Sequence, residues 1–125
     1  MFVYYFSYHP PYPSSAADRT VGASHGSEIP YVFGYPDTEA PGWTATEKRL
    51  SDTISSFWVN FAKTGDPNGP GLPKWPAFSG EAPQVMHLND APQAGAYPNL
   101  DKLELWERYF AWRRGEIAPS ATSGR

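Results

Sequence analysis

FVYYFSY, residues 2–8, is aromatic or β-branched at six of its seven positions, and it runs into His9, Pro10 and Pro11. Such residues favour a pleated backbone, and an unbroken apolar run reads as a strand buried on both faces. A strand of that kind needs neighbours, and because it starts at residue 2 they have to come from later in the chain. Only QVMHL, residues 84–88, qualifies clearly. Two short strands do not make a stable sheet; at least three strands, or a covering helix layer, are required. The chain therefore reads as one whose sheet is missing.

Two helices supply covering surface. The longer is expected over residues 45–63. Thr44 and Glu47 have the T-x-x-E spacing of a capping box, and Leu50, Ile54, Phe57, Trp58 and Phe61 lie along one stripe of a helical surface. Gly65 and Pro67 stop it. A second helix is expected over 102–114, opened by Asp101 with Glu104 three residues on, carrying Leu103, Trp106 and Phe110 on one side, and ended by Arg113, Arg114 and Gly115. Its aromatic side also calls for a partner. The last stretch, EIAPSATSGR at 116–125, is small and polar and reads as a flexible tail.

Composition sets outer limits. A chain of 125 residues, 40% hydrophobic and 16% aromatic, suits one folded domain, and its 11 glycines and 14 prolines imply ordered elements joined by long loops. A net charge of −3 leaves no basic stripe for phosphates, so nucleic acid is not expected as a partner. The absence of cysteine removes disulfide and thiolate chemistry without fixing the compartment. The opening MFVYYFSY lacks a basic flank and its apolar run is short, so neither a signal peptide nor a membrane span is expected. No internal repeat is present.

Few residues carry candidate chemistry. His25 sits in a loop between Ser24 and Gly26, a position from which a scaffold commonly presents a proton-transfer group. Ser24 and Ser27 flank it, but neighbours on an extended loop point apart and no G-x-S-x-G elbow surrounds either, so no triad assembles from this chain. Glu28 has two readings: it orients His25, or it caps a short helical turn in SEIPYVF. KTGDPNGPG, residues 63–71, has too few acidic ligands for a calcium loop and reads as a helix stop and turn. His9 and His87 have no second ligand at metal-binding spacing. Trp75, Trp106 and Trp112 read as packing anchors.

GASHGSEIPYVFG (22–34), LSDTISSFWVNFAKTGDPNGPGLPKWPAF (50–78) and LELWERYF (103–110), taken in order, make residues 1–113 resemble the C-terminal segment of type-B carboxylesterases, the esterase and cholinesterase family of the α/β-hydrolase fold. The resemblance implies that residues 1–115 are the C-terminal portion of such a domain: its last sheet strands, its catalytic-histidine loop and packing helices, incomplete alone. It implies that His25 is the triad histidine, taking a proton from a serine hydroxyl as it attacks an ester carbonyl and returning it to the leaving alcohol. Ala23 and Gly26 leave room for the ring. Glu28 matches a glutamate that supports this histidine from nearby and is not the triad acid, while Tyr31 and Phe33 either wall the substrate pocket or pack in the core.

The implied function is hydrolysis of carboxylic esters through an acyl-serine intermediate, with no metal or organic cofactor. The partners are the ester substrate and the missing N-terminal part of the same fold, which carries the nucleophile elbow, the glycine-rich oxyanion loop and the acid. This chain alone is expected to be inactive. The competing reading is a non-catalytic binding or interaction fragment, or a truncated gene product, since members of the superfamily that lack the serine act as adhesion proteins. Retention of His25 favours the enzyme. Substrate preference and compartment are not legible.

Overall fold

Three strands form a single mixed sheet in the computed structural model, which describes residues 1–9, 23–35, 43–81 and 83–117. The first, β1 (Tyr4–Phe6), lies parallel to β2 (Gln84–Leu88), which in turn pairs antiparallel with β3 (Gln93–Ala96), giving the order β1-β2-β3. Tyr4 stands beside Met86 and Phe6 beside Leu88, so these four side chains share one face, and Tyr5 and His87 share the other.

The first face is covered by two helices, α1 (Ile29–Phe33) and α2 (Ala45–Thr64). Leu50, Ile54 and Phe57 of α2 are buried against Met86 and Leu88, and Tyr8, Tyr31 and Trp75 close the same core. The capping box forms as the sequence specifies: Thr44 Oγ1 accepts from the Glu47 amide at 3.4 Å and Glu47 Oε2 accepts from the Thr44 amide at 2.7 Å. At the other end Gly65 adopts a left-handed φ of 77°, and its amide reaches the Phe61 carbonyl at 2.8 Å. The predicted stripe holds at Leu50, Ile54 and Phe57. Trp58 is half-buried, and Phe61 is exposed at the rim of an apolar groove of about 200 Å³ shared with Phe2, Tyr4, Pro67 and Trp75.

The turn after α2 is built around Asn68. Its amide and side-chain nitrogens donate to Asp66 Oδ1, and its side chain brackets Trp75, accepting from the Trp75 amide at 2.8 Å and donating to its carbonyl at 2.9 Å. Asn68's donors hold the exposed Asp66 carboxyl below the ordinary carboxylate range. The indole of Trp75 then donates to the Val3 carbonyl at 3.0 Å, tying the turn to β1. Trp75 is the packing anchor expected of it.

Several expectations are corrected. The strand of residues 2–8 is shorter, Tyr4–Phe6, and is not buried on both faces: on the side opposite α1 and α2, Tyr5 remains 43% exposed. The sheet gains a third strand from QAGA, which has little intrinsic strand preference; it pairs because the chain folds back after β2, with the Tyr97 amide reaching the Pro83 carbonyl. The last helix, α3 (Leu100–Arg113), begins two residues earlier than expected, at a left-handed Asn99 with φ 57°. Trp106 and Trp112 are not buried: both are exposed and pack against other α3 rings, Tyr109 and Phe110, and Trp106 also lines a shallow pocket with Tyr4, Tyr5 and Val85 of the sheet. Of the expected tail, residues 118–125 lie outside the described residues. Among the described residues no helix is long and apolar enough to cross a membrane, and no cluster of histidine and acidic side chains has the makings of a metal site.

Candidate functional site: the histidine turn

His25 lies at the tip of a tight turn. The Ser27 amide donates to the Ser24 carbonyl at 3.1 Å, and Gly26 takes a left-handed φ of 81°, the combination that defines a type II reversal with His25 at its first central position. The loop is thus not extended, and Ser24 and Ser27 do not point apart. Gly26 turns the chain back so that the two hydroxyls meet at 3.0 Å, while Ser27 Oγ also donates to the Ser24 carbonyl at 2.6 Å. Both serines are occupied in closing the turn, which leaves the His25 side chain exposed.

The turn runs directly into α1. The Ile29 amide donates to the Gly26 carbonyl, the Tyr31 and Val32 amides to the Glu28 carbonyl, and Gly34, at φ 71°, ends the helix. Two contacts fix this unit to the rest of the molecule. On one side Ser51 Oγ of α2 donates to the Tyr31 carbonyl at 2.8 Å, and the buried Tyr31 ring stacks on Trp43 and meets Phe6 and Tyr8. On the other side the Tyr4 hydroxyl of β1 donates to Glu28 Oε1 at 3.3 Å. The Tyr4 phenol is pushed above its ordinary pKa, first by burial, then by the Glu28 charge and the hydrogen bond to it.

Glu28 occupies the N-cap position of α1, as one of its two readings required, but its side chain makes no capping bond and goes to Tyr4 instead. Among the described residues no hydrogen bond joins Glu28 to His25; the turn places them in one short unit without direct contact. Tyr31 belongs to the core, whereas Phe33 is 72% exposed. His87 is structural: its Nε2 lies 2.9 Å from the Ala96 carbonyl and its ring meets Tyr5 edge-on. His9 is exposed. Tyr4 and Ser51 were not singled out from the sequence. A hydroxyl on the helix-facing side of an otherwise apolar strand was the available signal for Tyr4.

A parallel strand pair with helices against one face, and a histidine on a rigid turn between the first strand and those helices, places the chain among α/β proteins. The chain belongs to the carboxylesterase family, whose sequence profile matches residues 1–106. It is 43% identical over 110 residues to carboxylesterase 1C of Rattus norvegicus, covering 88% of this chain and 20% of that protein. To carboxylesterase 1C of Mus musculus it is 33% identical over 119 residues, covering 95% of this chain and 21% of that one. A solved PNB esterase, an α/β-hydrolase, superposes with a TM-score of 0.67 at 33% identity, over 82% of this chain and 20% of that structure. The chain thus spans about a fifth of the length of the curated relatives it matches.

Proposed function

We propose that this chain is the C-terminal part of a serine carboxylesterase and that His25 is its general base. In each half of the reaction the imidazole accepts a proton and passes it on: first from the serine hydroxyl attacking the ester carbonyl to the leaving alcohol, then from the water that cleaves the acyl-serine back to the serine oxygen as the acid departs. The acceptor must be presented, not buried in its own fold, and must be held to within about an ångström, since a misplacement of that size costs roughly a hundredfold. The observation that supports the reading is the turn itself: His25 stands exposed at the tip of a reversal locked by Gly26 and the paired serines, inside the span matched by the carboxylesterase profile. Glu28 supports it from the start of α1. The nucleophile, the acid and the oxyanion donors belong to the remainder of the enzyme, as do the strands beyond the sheet described above.

The test is burst kinetics with a chromogenic ester on the full-length enzyme, its His25→Ala variant and a His87→Ala control. Loss of the base in a triad costs about as much as loss of the nucleophile, on the order of 10⁶-fold in turnover. The His87 control should keep most of its activity per folded molecule. If His25→Ala retains more than about a tenth of parental turnover, less than a single general base ordinarily supplies, the assignment fails.

A further inference from the structure

We propose that Tyr4 is a positioning residue for the His25 turn, acting through Glu28; the inference rests on the reading of His25 as the base. Tyr4 lies on β1, and its ring is fixed by edge-on contacts with Trp58 at 5.2 Å and Trp75 at 6.3 Å. Trp75 in turn is anchored through its indole to the Val3 carbonyl and through its backbone to Asn68. The direction of the Tyr4 hydroxyl is therefore set by a ring cluster that is itself hydrogen-bonded to β1 and to the turn after α2. It donates to Glu28 Oε1 across 24 residues of sequence.

Glu28 follows the turn immediately, and its carbonyl starts α1 by accepting from the Tyr31 and Val32 amides. Pinning its carboxylate to β1 fixes the C-terminal end of the reversal that carries His25, while Ser51 fixes α1 from the α2 side. Without the Tyr4 bond the unit keeps its internal hydrogen bonds and, through Ser51 and the buried Tyr31 ring, its hold on α2 and the core, but the end that carries the turn loses its hydrogen bond to β1. Small displacements of a base are felt in kcat more than in substrate binding, because alignment matters most in the transition state. The acceptor is a carboxylate, but at 3.3 Å the bond is long for an O–H···O pair, so its role is to steer the turn more than to stabilise it.

The experiment compares Tyr4→Phe, Glu28→Ala, the double variant, Glu28→Gln and His25→Ala in the full-length enzyme, by kcat, KM and thermal melting. Tyr4→Phe keeps the ring and its tryptophan contacts, so its melting temperature should stay close to the parent's. Its kcat should fall about fivefold, the loss of one hydrogen bond of ordinary strength, with KM changed less than twofold. In the Glu28→Ala background the same substitution should have no further effect, since the two residues then act as one unit. Glu28→Gln retains Oε1 as an acceptor and should keep more turnover than Glu28→Ala, a comparison that holds even if Tyr4→Phe folds poorly. Parental kcat in Tyr4→Phe, multiplicative losses in the double variant, or Glu28→Gln as impaired as Glu28→Ala would each overturn the inference while leaving an inactive His25→Ala, and so the base assignment, intact. An active His25→Ala would overturn both.

Discussion

Phe57→Ala is the substitution that probes the core most directly. Phe57 is completely buried at the middle of α2, and its ring meets Trp75 edge-on with centroids 5.0 Å apart. Truncating such a phenylalanine removes its transfer free energy and leaves a cavity, together about 3 to 5 kcal/mol, of which the lost aromatic pair accounts for roughly 1 kcal/mol. The backbone of α2 does not collapse inward to fill the space, because the capping box at Thr44 and Glu47 and the Asn68 turn hold both of its ends. Urea unfolding of this chain, followed by far-ultraviolet circular dichroism, measures the effect. With a slope of about 2 kcal/mol per molar urea, a 4 kcal/mol loss moves the midpoint down by about 2 M. A chain less stable than that loses its helical signal in buffer. Val59→Ala, on the exposed side of the same helix, serves as the comparison and should stay within about 1 kcal/mol. If Phe57→Ala shifts the midpoint by less than about 0.5 M, roughly 1 kcal/mol on that slope, the core is not organised around this ring.

Gly95→Ala should be destabilising although alanine suits a strand better than glycine, because the added Cβ would lie 2.9 Å from Cδ2 and 3.0 Å from Nε2 of His87, whose ring is held to the Ala96 carbonyl. The expected loss is about 1 to 2 kcal/mol in urea, and a gain would show that the ring moves aside freely. Tyr4 has a folded-state pKa raised above its free value of 10.0, so the stability it contributes is complete below pH 10 and is lost as pH rises through the raised value. In an ultraviolet titration of tyrosinate, Tyr4→Phe should remove a component that ionises later than the exposed tyrosines; loss of an early component would contradict the Glu28 contact. The chain alone should bind a hydrophobic dye and associate as its concentration rises, because Tyr5, Leu103, Trp106 and Phe110 leave apolar surface open on the second face of the sheet and on α3. A chain that stays monomeric and binds no dye would argue against it.

The elements determined by the sequence alone are those whose signals are local. Helix α2 was legible from end to end because its capping residues, its stripe and its stop glycine each act within a turn or two of backbone, and β2 was legible because QVMHL carries its own strand preference. His25 and Glu28 were singled out by the family resemblance of the stretch around them, while their spacing left Glu28 open as a cap or a support. What the tertiary structure decided depends on partners distant in sequence. QAGA is a strand only because β2 is already there to pair with, and Tyr5 is exposed because it faces away from α1 and α2. The exposed aromatic face of α3 reads locally like the buried one of α2, since a hydrophobic stripe reports what a helix is able to cover and not whether a covering surface is present. The histidine loop shows the same division. The sequence placed His25 in a loop read as extended; the reversal at Gly26 and the meeting of Ser24 with Ser27 required the turn to be built, and the Tyr4–Glu28 bond required β1 and α1 to be brought together from positions 24 residues apart.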